Sequence, residues 1–543
     1  MKVTRREFLG TSASALGAAT VLPAALAASA QTAPSTAPPA HPAAVPAPSI
    51  YGKPVPVKIH IAAGEPVRVM RGGVGASFHV ISTELPSRKS GGGSSWSGSE
   101  WGGNPDAGDD AHWDDLFHHA DWLGMDWCRV ELEQRVYEPN KRDFSWDNPE
   151  MQVLYRVLDW AQRRDVDVFL TQMWADVPWN SFPELAKDPV GVLRSGPLSL
   201  DEWAFGLGEF IEHLTKAKGY TCVKWVCICN EPEQDGFSWW QDAKLKAMPI
   251  TPGLKAAREE FDRRGLTVPL SGPDWPYLPP FDAAKAVWDP YVGAYDFHSY
   301  DAVFDSIGGG MTLTQAEEHL SGWAKLAHSR GKALFLSEMG TMHYGWGNDD
   351  AAPACYQSGL KNASLLVRGI NAGVDGFNRW SFTNRGDLDG HWELVHTWDI
   401  DNNKLEDTFT PQPNAYYQYG MLTRYFPKHS GVLATKVETP FGEKDRKLVA
   451  AALRSPKGNL TVLVVNESHH AAQIDVVFEG LAKPVRLQRY SLGKEAEDKT
   501  SVNLHPERAI EVSKTLTDHI APMSIVVYST YNLKSTDPGL INE

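Results

Sequence analysis

Val223-Lys224-Trp225-Val226-Cys227-Ile228-Cys229-Asn230-Glu231-Pro232 begins as an apolar run and ends in an amide, a carboxyl group and a proline. A stretch rich in β-branched and aromatic residues with little polar alternation reads as a strand buried on both faces, as in a parallel sheet. Runs of this kind occur at 73–79, 127–132, 166–173, 223–229, 268–271, 294–298, 333–337 and 374–380. Amphipathic stretches at helical spacing alternate with them, at 112–123, 151–164, 201–217, 254–264, 315–330 and 354–372. A shorter helix is expected at 281–288 and a last one at 414–425. Gly265 and Gly331 stand where two of these helices should stop. Eight β-then-α units in succession predict an α/β fold, a (β/α)8 TIM barrel over residues 70–427, rather than an open doubly wound sheet.

Outside the barrel the pattern changes. Residues 428–543 lose the helical period. Apolar segments at 448–453, 460–465, 474–478, 485–491 and 524–528, with turn-rich sequence between them, predict a C-terminal antiparallel β-sandwich domain. Residues 55–69 include an alternating strand, Val55-Pro56-Val57-Lys58-Ile59-His60-Ile61, that could join the sandwich. Residues 31–54 form a Pro/Ala-rich linker, with six Pro between 31 and 48, a composition that cannot build a core. Residues 1–30 carry Arg5-Arg6 ahead of Phe8-Leu9, an Ala-rich stretch, and small residues at Ala28-Ser29-Ala30. This resembles a twin-arginine signal peptide and implies export to a periplasmic or extracellular site. The apolar stretch is interrupted by Pro23, so no membrane span is expected in the mature protein.

Composition narrows the partners. The 543 residues carry 67 acidic and 52 basic side chains, a net charge of −15, which disfavours nucleic acid because phosphates reward Lys and Arg. Twenty Trp residues fit either an aromatic-rich core or a cleft in which sugar faces stack on indoles. Five Cys, an odd number without a CxxC pair, read as buried apolar side chains. Gly72-Gly73-Val74-Gly75 is a lone glycine cluster, and no phosphate loop, haem motif or metal-ligand cluster is visible, so neither cofactor nor metal is expected.

Reactive groups of such a barrel sit just past the C-terminal ends of its strands. The fourth run ends at Glu231 and the seventh at Glu338, 107 residues on. One carboxyl at a strand end is explained as well by a structural ion pair. Two, three βα units apart, can face each other across the barrel mouth, as glycosidic bond cleavage requires: one protonated to serve the leaving oxygen, one ionised to attack the anomeric carbon.

Asn230-Glu231-Pro232 after strand four, with Glu338 after strand seven, resembles clan A of the retaining glycoside hydrolases. The resemblance implies that Glu231 is the acid/base and Glu338 the nucleophile. Arg129 corresponds to the clan's Arg beside the nucleophile, His298-Ser299-Tyr300 to its His-x-Tyr, and Trp380 to the aromatic floor under the reactive sugar. The β-sandwich is like that of the glucocerebrosidase-like and β-xylosidase-like families. The third run ends Gln172-Met173-Trp174, where the cellulase-like families carry His. Asn230 is expected to meet the sugar 2-hydroxyl. His79, Trp174 and Trp179, and the long first loop with Trp96 and Trp101, are further candidates for substrate contact. Asp176 and Asp274 follow strands three and five, where they could bind hydroxyls or cap helices. The expected partner is a β-linked oligo- or polysaccharide or glycoside. A transglycosylase using the same residues and a non-catalytic carbohydrate-binding protein remain open alternatives.

Overall fold

The computed structural model describes residues 52–81, 103–233, 238–242, 244, 246–300, 311–340, 355–383, 392–399, 402, 404–440 and 447–540. Its centre is a closed barrel of eight parallel strands: Val74–His79, Trp127–Leu132, Asp167–Gln172, Val223–Cys227, Leu270–Trp275, Ala294–Ser299, Ala333–Met339 and Gly376–Arg379. These are the eight runs read from the sequence, in the same order around the barrel. Most of their residues are buried, because helices cover the outer face and neighbouring strands fill the interior.

Side-chain alternation divides the interior by height. Trp127, Phe169, Cys227, Ala294, Ala333 and Phe335 form an apolar plug near the N-terminal ends of the strands. Two or four residues later along the same strands come Arg129, Glu131, Thr171, Asp296, His298 and Ser337, so polar groups occupy the layers above the plug. Three pairings slip register near the C-terminal rim, at Pro273/Trp275, Phe297/His298 and Phe377/Arg379. Bulges of this kind re-aim side chains where a functional surface is built.

Strand closure depends on glycine at one place. A Cβ on Gly75 would lie 1.6 Å from the Trp127 carbonyl oxygen, so the first two barrel strands approach as they do only because that atom is missing.

Two of the long helices start at recognisable caps. Asn148 accepts from the Met151 N–H at 2.9 Å ahead of Pro149–Arg164, and Thr312 and Gln315 form a capping box ahead of Leu313–Ser329. The helix expected at 281–288 is instead two short 3-10 turns, Ala283–Lys285 and Asp289–Tyr291. Pro279 and Pro280 before it and Pro290 just after it leave too few residues to propagate a helix. The helix expected over 201–217 is α-helical through Leu200–Glu212 and closes with a π turn, His213–Ala217.

Two sheets face each other beside the barrel. One has four strands, in the order Thr435–Glu438, Val55–Ala62, Ala472–Glu479 and Thr515–Ile520. The other has seven, in the order Arg508–Val512, Val485–Leu492, Ser524–Ser529, Leu460–Asn466, Leu448–Arg454, Gly431–Leu433 and Arg68–Val69. Val57, Ile59, Ile61, Val462, Val464, Ile474, Val476 and Tyr528 are among the residues that form the core between them. The pairings are antiparallel except one: Val55–Ala62 runs parallel to Ala472–Glu479. No helix among the described residues is long and apolar enough to cross a membrane.

Candidate active site

Glu231 follows the fourth barrel strand and Glu338 lies in the seventh, and both side chains are buried at the C-terminal mouth. Glu231 adopts φ +47, a conformation costly to a residue with a Cβ, so the chain holds strain at this point. His298, from the sixth strand, stands between the two carboxylates. Its Nδ1 is 2.8 Å from Glu231 Oε1 and 3.2 Å from Glu338 Oε2. One oxygen from each carboxylate and a ring nitrogen of His298 all lie within 4.8 Å of one another.

The two carboxylates differ in their other partners. Glu338 accepts from the Arg129 guanidinium and, at 2.9 Å, from the Tyr300 hydroxyl. Both donors favour a carboxylate that is ionised. Arg129, fully buried, also donates to Glu131 at 2.6 Å, Asn230 Oδ1 at 2.7 Å, Thr171 Oγ1 at 3.0 Å and Asp274 at 3.4 Å. Burial works against its charge, but Glu338, Glu131 and Asp274 outweigh it and hold the guanidinium well above its usual pKa. Burial likewise penalises charged His298. The charges of Glu338 and Asp274, with hydrogen bonds to Asp274 and Glu231, reverse that and raise its pKa to about 10. His298 is therefore an imidazolium at neutral pH, donating from Nδ1 towards the carboxylate pair and from Nε2 to Asp274 at 3.2 Å.

Residues 87–367 match the model of the cellulase family, glycosyl hydrolase family 5. That is more than half of the chain. The chain belongs to glycosyl hydrolase family 5. Family 5 membership makes it an enzyme that hydrolyses glycosidic bonds, and the closed parallel barrel carries that activity in the expected fold. The barrel keeps Trp174 at the place where the sequence departs from the cellulase-like His.

Solved structures resemble this family 5 chain in fold, at identities too low to carry more. A family 30 endoxylanase from Clostridium papyrosolvens aligns with TM-score 0.56 at 12% identity, over 87% of this chain and 99% of that one. An α-L-arabinofuranosidase from Thermotoga maritima aligns with TM-score 0.56 at 16% identity, over 88% and 100%. A conserved exported protein from Bacteroides fragilis aligns with TM-score 0.60 at 11% identity, over 87% and 99%. No curated protein matches the sequence.

The other expected site residues of the family 5 barrel fall into two groups. Asn230 lies beside the pair, and its Oδ1 accepts from Arg129, so the amide nitrogen is the end left to donate. Trp380 ends the eighth strand and packs on a cluster of Ile81, Met173, Trp174 and Leu193, which places both tryptophans at the same side of the mouth. His79 is buried. Its Nδ1 accepts from the Ile81 N–H at 3.3 Å, and its Nε2 meets the Thr383 hydroxyl at 3.2 Å, so it ties the first strand to the segment after the eighth. Trp179 donates at 3.4 Å to the Glu138 carbonyl, and Asp176 accepts from Arg135 at 2.9 Å in an ion-pair network with Glu150. Trp96 and Trp101 lie outside the described residues.

Several neighbours were not singled out from the sequence. Glu131 follows Arg129 by two residues, which puts both on one face of a strand; that spacing could have found it. Asn378 accepts from the Arg129 backbone N–H at 3.1 Å and donates to Ser77 at 2.6 Å and to the Ser337 carbonyl at 3.2 Å. Its parity with Trp380 was the available signal.

The sequence shows no metal-ligand motif, yet the barrel gathers two trios of ligand-type side chains, Cys227 with Asp274 and Asp296, and Glu231 with His298 and Glu338. They come from different strands, so no local spacing announces them. In the second trio the imidazolium has no lone pair to offer a cation. In the first, burial and the charge of Asp274 push the Asp296 carboxyl well up, and burial does the same to the Cys227 thiol. A cavity of about 500 Å³ lined by Arg71, Asp167, Lys224, Trp225 and Lys428 lies at the opposite, N-terminal end of the barrel.

Proposed function

We propose that the protein is a retaining glycoside hydrolase that cleaves β-glycosidic bonds by double displacement, with Glu338 as nucleophile and Glu231 as acid/base. The observation that carries this reading is the facing pair, with an oxygen of each within 4.8 Å of the other. That closeness suits direct attack by a carboxylate, for which the carboxyl groups stand about 5–5.5 Å apart; an inverting enzyme leaves room for water between them.

The unequal partners assign the roles. Arg129 and Tyr300 stabilise negative charge on Glu338, which attacks the anomeric carbon while Glu231 gives its proton to the departing oxygen. Glu231, now a carboxylate, takes a proton from water. The water oxygen bonds to the anomeric carbon, and Glu338 leaves with the electrons of the ester bond. With its Oδ1 held by Arg129, the Asn230 amide nitrogen suits a donor to the sugar 2-hydroxyl, and Trp380 the floor under the ring. We further infer that residues 1–30 direct export through the twin-arginine route. The consecutive Arg5-Arg6 pair, Ala-rich stretch and Ala-x-Ala site support it.

Aryl β-glycosides and β-glucans, incubated with wild type, Glu338→Ala and Glu231→Ala, test the reading. The expected result is product of retained configuration by NMR, a fall of several orders of magnitude in Glu338→Ala, and recovery of that variant by azide as the inverted glycosyl azide. Wild-type rates in Glu338→Ala would remove the nucleophile assignment. Accumulation of longer oligosaccharides in place of free sugar would make the enzyme a transglycosylase.

A further inference from the structure

We propose that Asp274 is a positioning residue, an anion beneath the reacting pair that ties His298, Arg129 and the Glu231 backbone into one unit. The inference rests on the assignment of Glu231 and Glu338 given above.

Both oxygens of Asp274 are occupied by protein. Oδ1 accepts from His298 Nε2 at 3.2 Å and from the Ser337 hydroxyl at 3.0 Å. Oδ2 accepts from Arg129 at 3.4 Å and from the Glu231 backbone N–H at 3.4 Å. These donors come from the sixth, seventh and second strands and from Glu231, past the end of the fourth. The side chain is 1% exposed, so it neither binds a sugar hydroxyl nor caps a helix, the two roles open to it from sequence.

The backbone is shaped to deliver it. Asp274 sits at a break in register between Pro273 and Trp275 and adopts φ +55, in the left-handed region, with its N–H donating to Asp296 Oδ1 at 2.9 Å. A bulge that costs conformational energy and turns one carboxylate inward is the kind of local strain that persists where the surroundings over-determine it.

The charge on Asp274 has no substitute. The groups that face His298 are Glu231 from strand four, Glu338 from strand seven, Asp274 from strand five and Asp296 from its own strand, with Arg129 and Tyr300 behind Glu338. Burial and the charge of Asp274 push the Asp296 carboxyl well up, towards its neutral form. Burial opposes ionisation of Asp274 too, but His298, Arg129 and Ser337 overcome it and hold its pKa below the usual carboxylate range. Glu338 loses its charge when it becomes the glycosyl ester and Glu231 gains and loses a proton in each turnover. Asp274 is the carboxylate touching His298 whose charge stays constant through the cycle.

Asp274→Asn removes the charge and keeps the shape. Loss of a negative neighbour makes any nearby proton easier to lose, so the basic limb of the kcat/KM profile should move to lower pH by about half a unit or more. kcat should fall on the order of 10²-fold, the scale of a misplaced catalytic group, with KM changed less than about threefold. In a His298→Gln background the same substitution should cost less than about threefold more, since the path through the imidazole is gone. Limb position reports only on active molecules, so partial misfolding does not imitate the shift. If Asp274→Asn yields no folded protein, Asp274→Ser is taken through the same measurements. An unmoved limb, or the same cost in both backgrounds, would overturn the proposal. Glu338→Gln in the same assay separates the two levels. If it is inactive while Asp274→Asn matches wild type, only the role of Asp274 falls; if Glu338→Gln is active, the assignment beneath it falls.

Discussion

Arg129→Met leaves a side chain of similar length and removes the cation on which Glu338, Glu131, Asp274 and Asn230 converge. The guanidinium is wholly buried, so no water takes its place. Breaking a buried ion pair from one side costs about 3–5 kcal/mol, because the carboxylates left behind are desolvated and unpaired. Unfolding entropy near 2.1 cal/mol/K per residue gives roughly 1 kcal/mol/K for a chain of this size, so the melting temperature should drop by about 3–5 °C. Arg330→Met is the comparison. Its pair with Asp289 at 3.0 Å is open to solvent, which screens it, so the melting temperature should barely move. Calorimetry of both variants beside wild type measures the contrast. Hydrolysis of an aryl β-glycoside should fall on the order of 10²–10³-fold in Arg129→Met, since the nucleophile and the Asn230 amide lose a shared anchor. A variant that melts within about 1 °C of wild type, or keeps more than about a tenth of its rate, would refute the view that this cation organises the site.

Two further outcomes follow from buried groups. His298 has its folded pKa raised to about 10 from the ordinary 6.5, so the folded state holds a proton that the unfolded state has released. The resulting stability is complete below pH 6.5 and is lost as pH climbs towards 10; denaturant titrations over that range should slope downward in wild type and less in His298→Gln, and equal slopes would exclude His298 as the group responsible. Cys128, Cys222, Cys227 and Cys229 are buried with thiol pKa values pushed up chiefly by burial, whereas Cys355 is half-exposed. A chromogenic disulfide reagent should therefore titrate about one thiol in the native protein and all five after denaturation; rapid native reaction at several thiols would contradict the packing.

The barrel was legible because parallel strands covered on both faces leave unbroken apolar runs, and the carboxylates at two of their ends pointed to the mouth. The fifth strand shows where such reading stops. It was expected at 268–271 and runs Leu270–Trp275, because Gly272-Pro273-Asp274 has the composition of a turn. The bulge that turns Asp274 inward disguises the second half of the strand, so Asp274, which the sequence places just past strand five, lies within it. In the sandwich, Arg508–Val512 and Thr515–Ile520 escaped notice because half their side chains are exposed and polar, like the turns around them. Arg129, Asn230, His298 and Tyr300 were found from the sequence through resemblance; their mutual contacts, and the parts of Glu131 and Asn378, needed the closed barrel.

The strand Val55–Ala62 bears on how this molecule is made. Among the described residues, its apolar face, Val57, Ile59 and Ile61, is covered by residues that follow the barrel in the chain. A ribosome therefore releases this segment early and supplies its neighbours last, after every βα unit has emerged. The sandwich cannot be completed during synthesis from either end alone, and a gene cut at the end of the barrel would yield a chain whose leading strand has nothing to pair with and an open edge ready to join another molecule. Swapping the accessory module between enzymes of this shape thus requires exchanging two stretches of coding sequence, one on each side of the barrel.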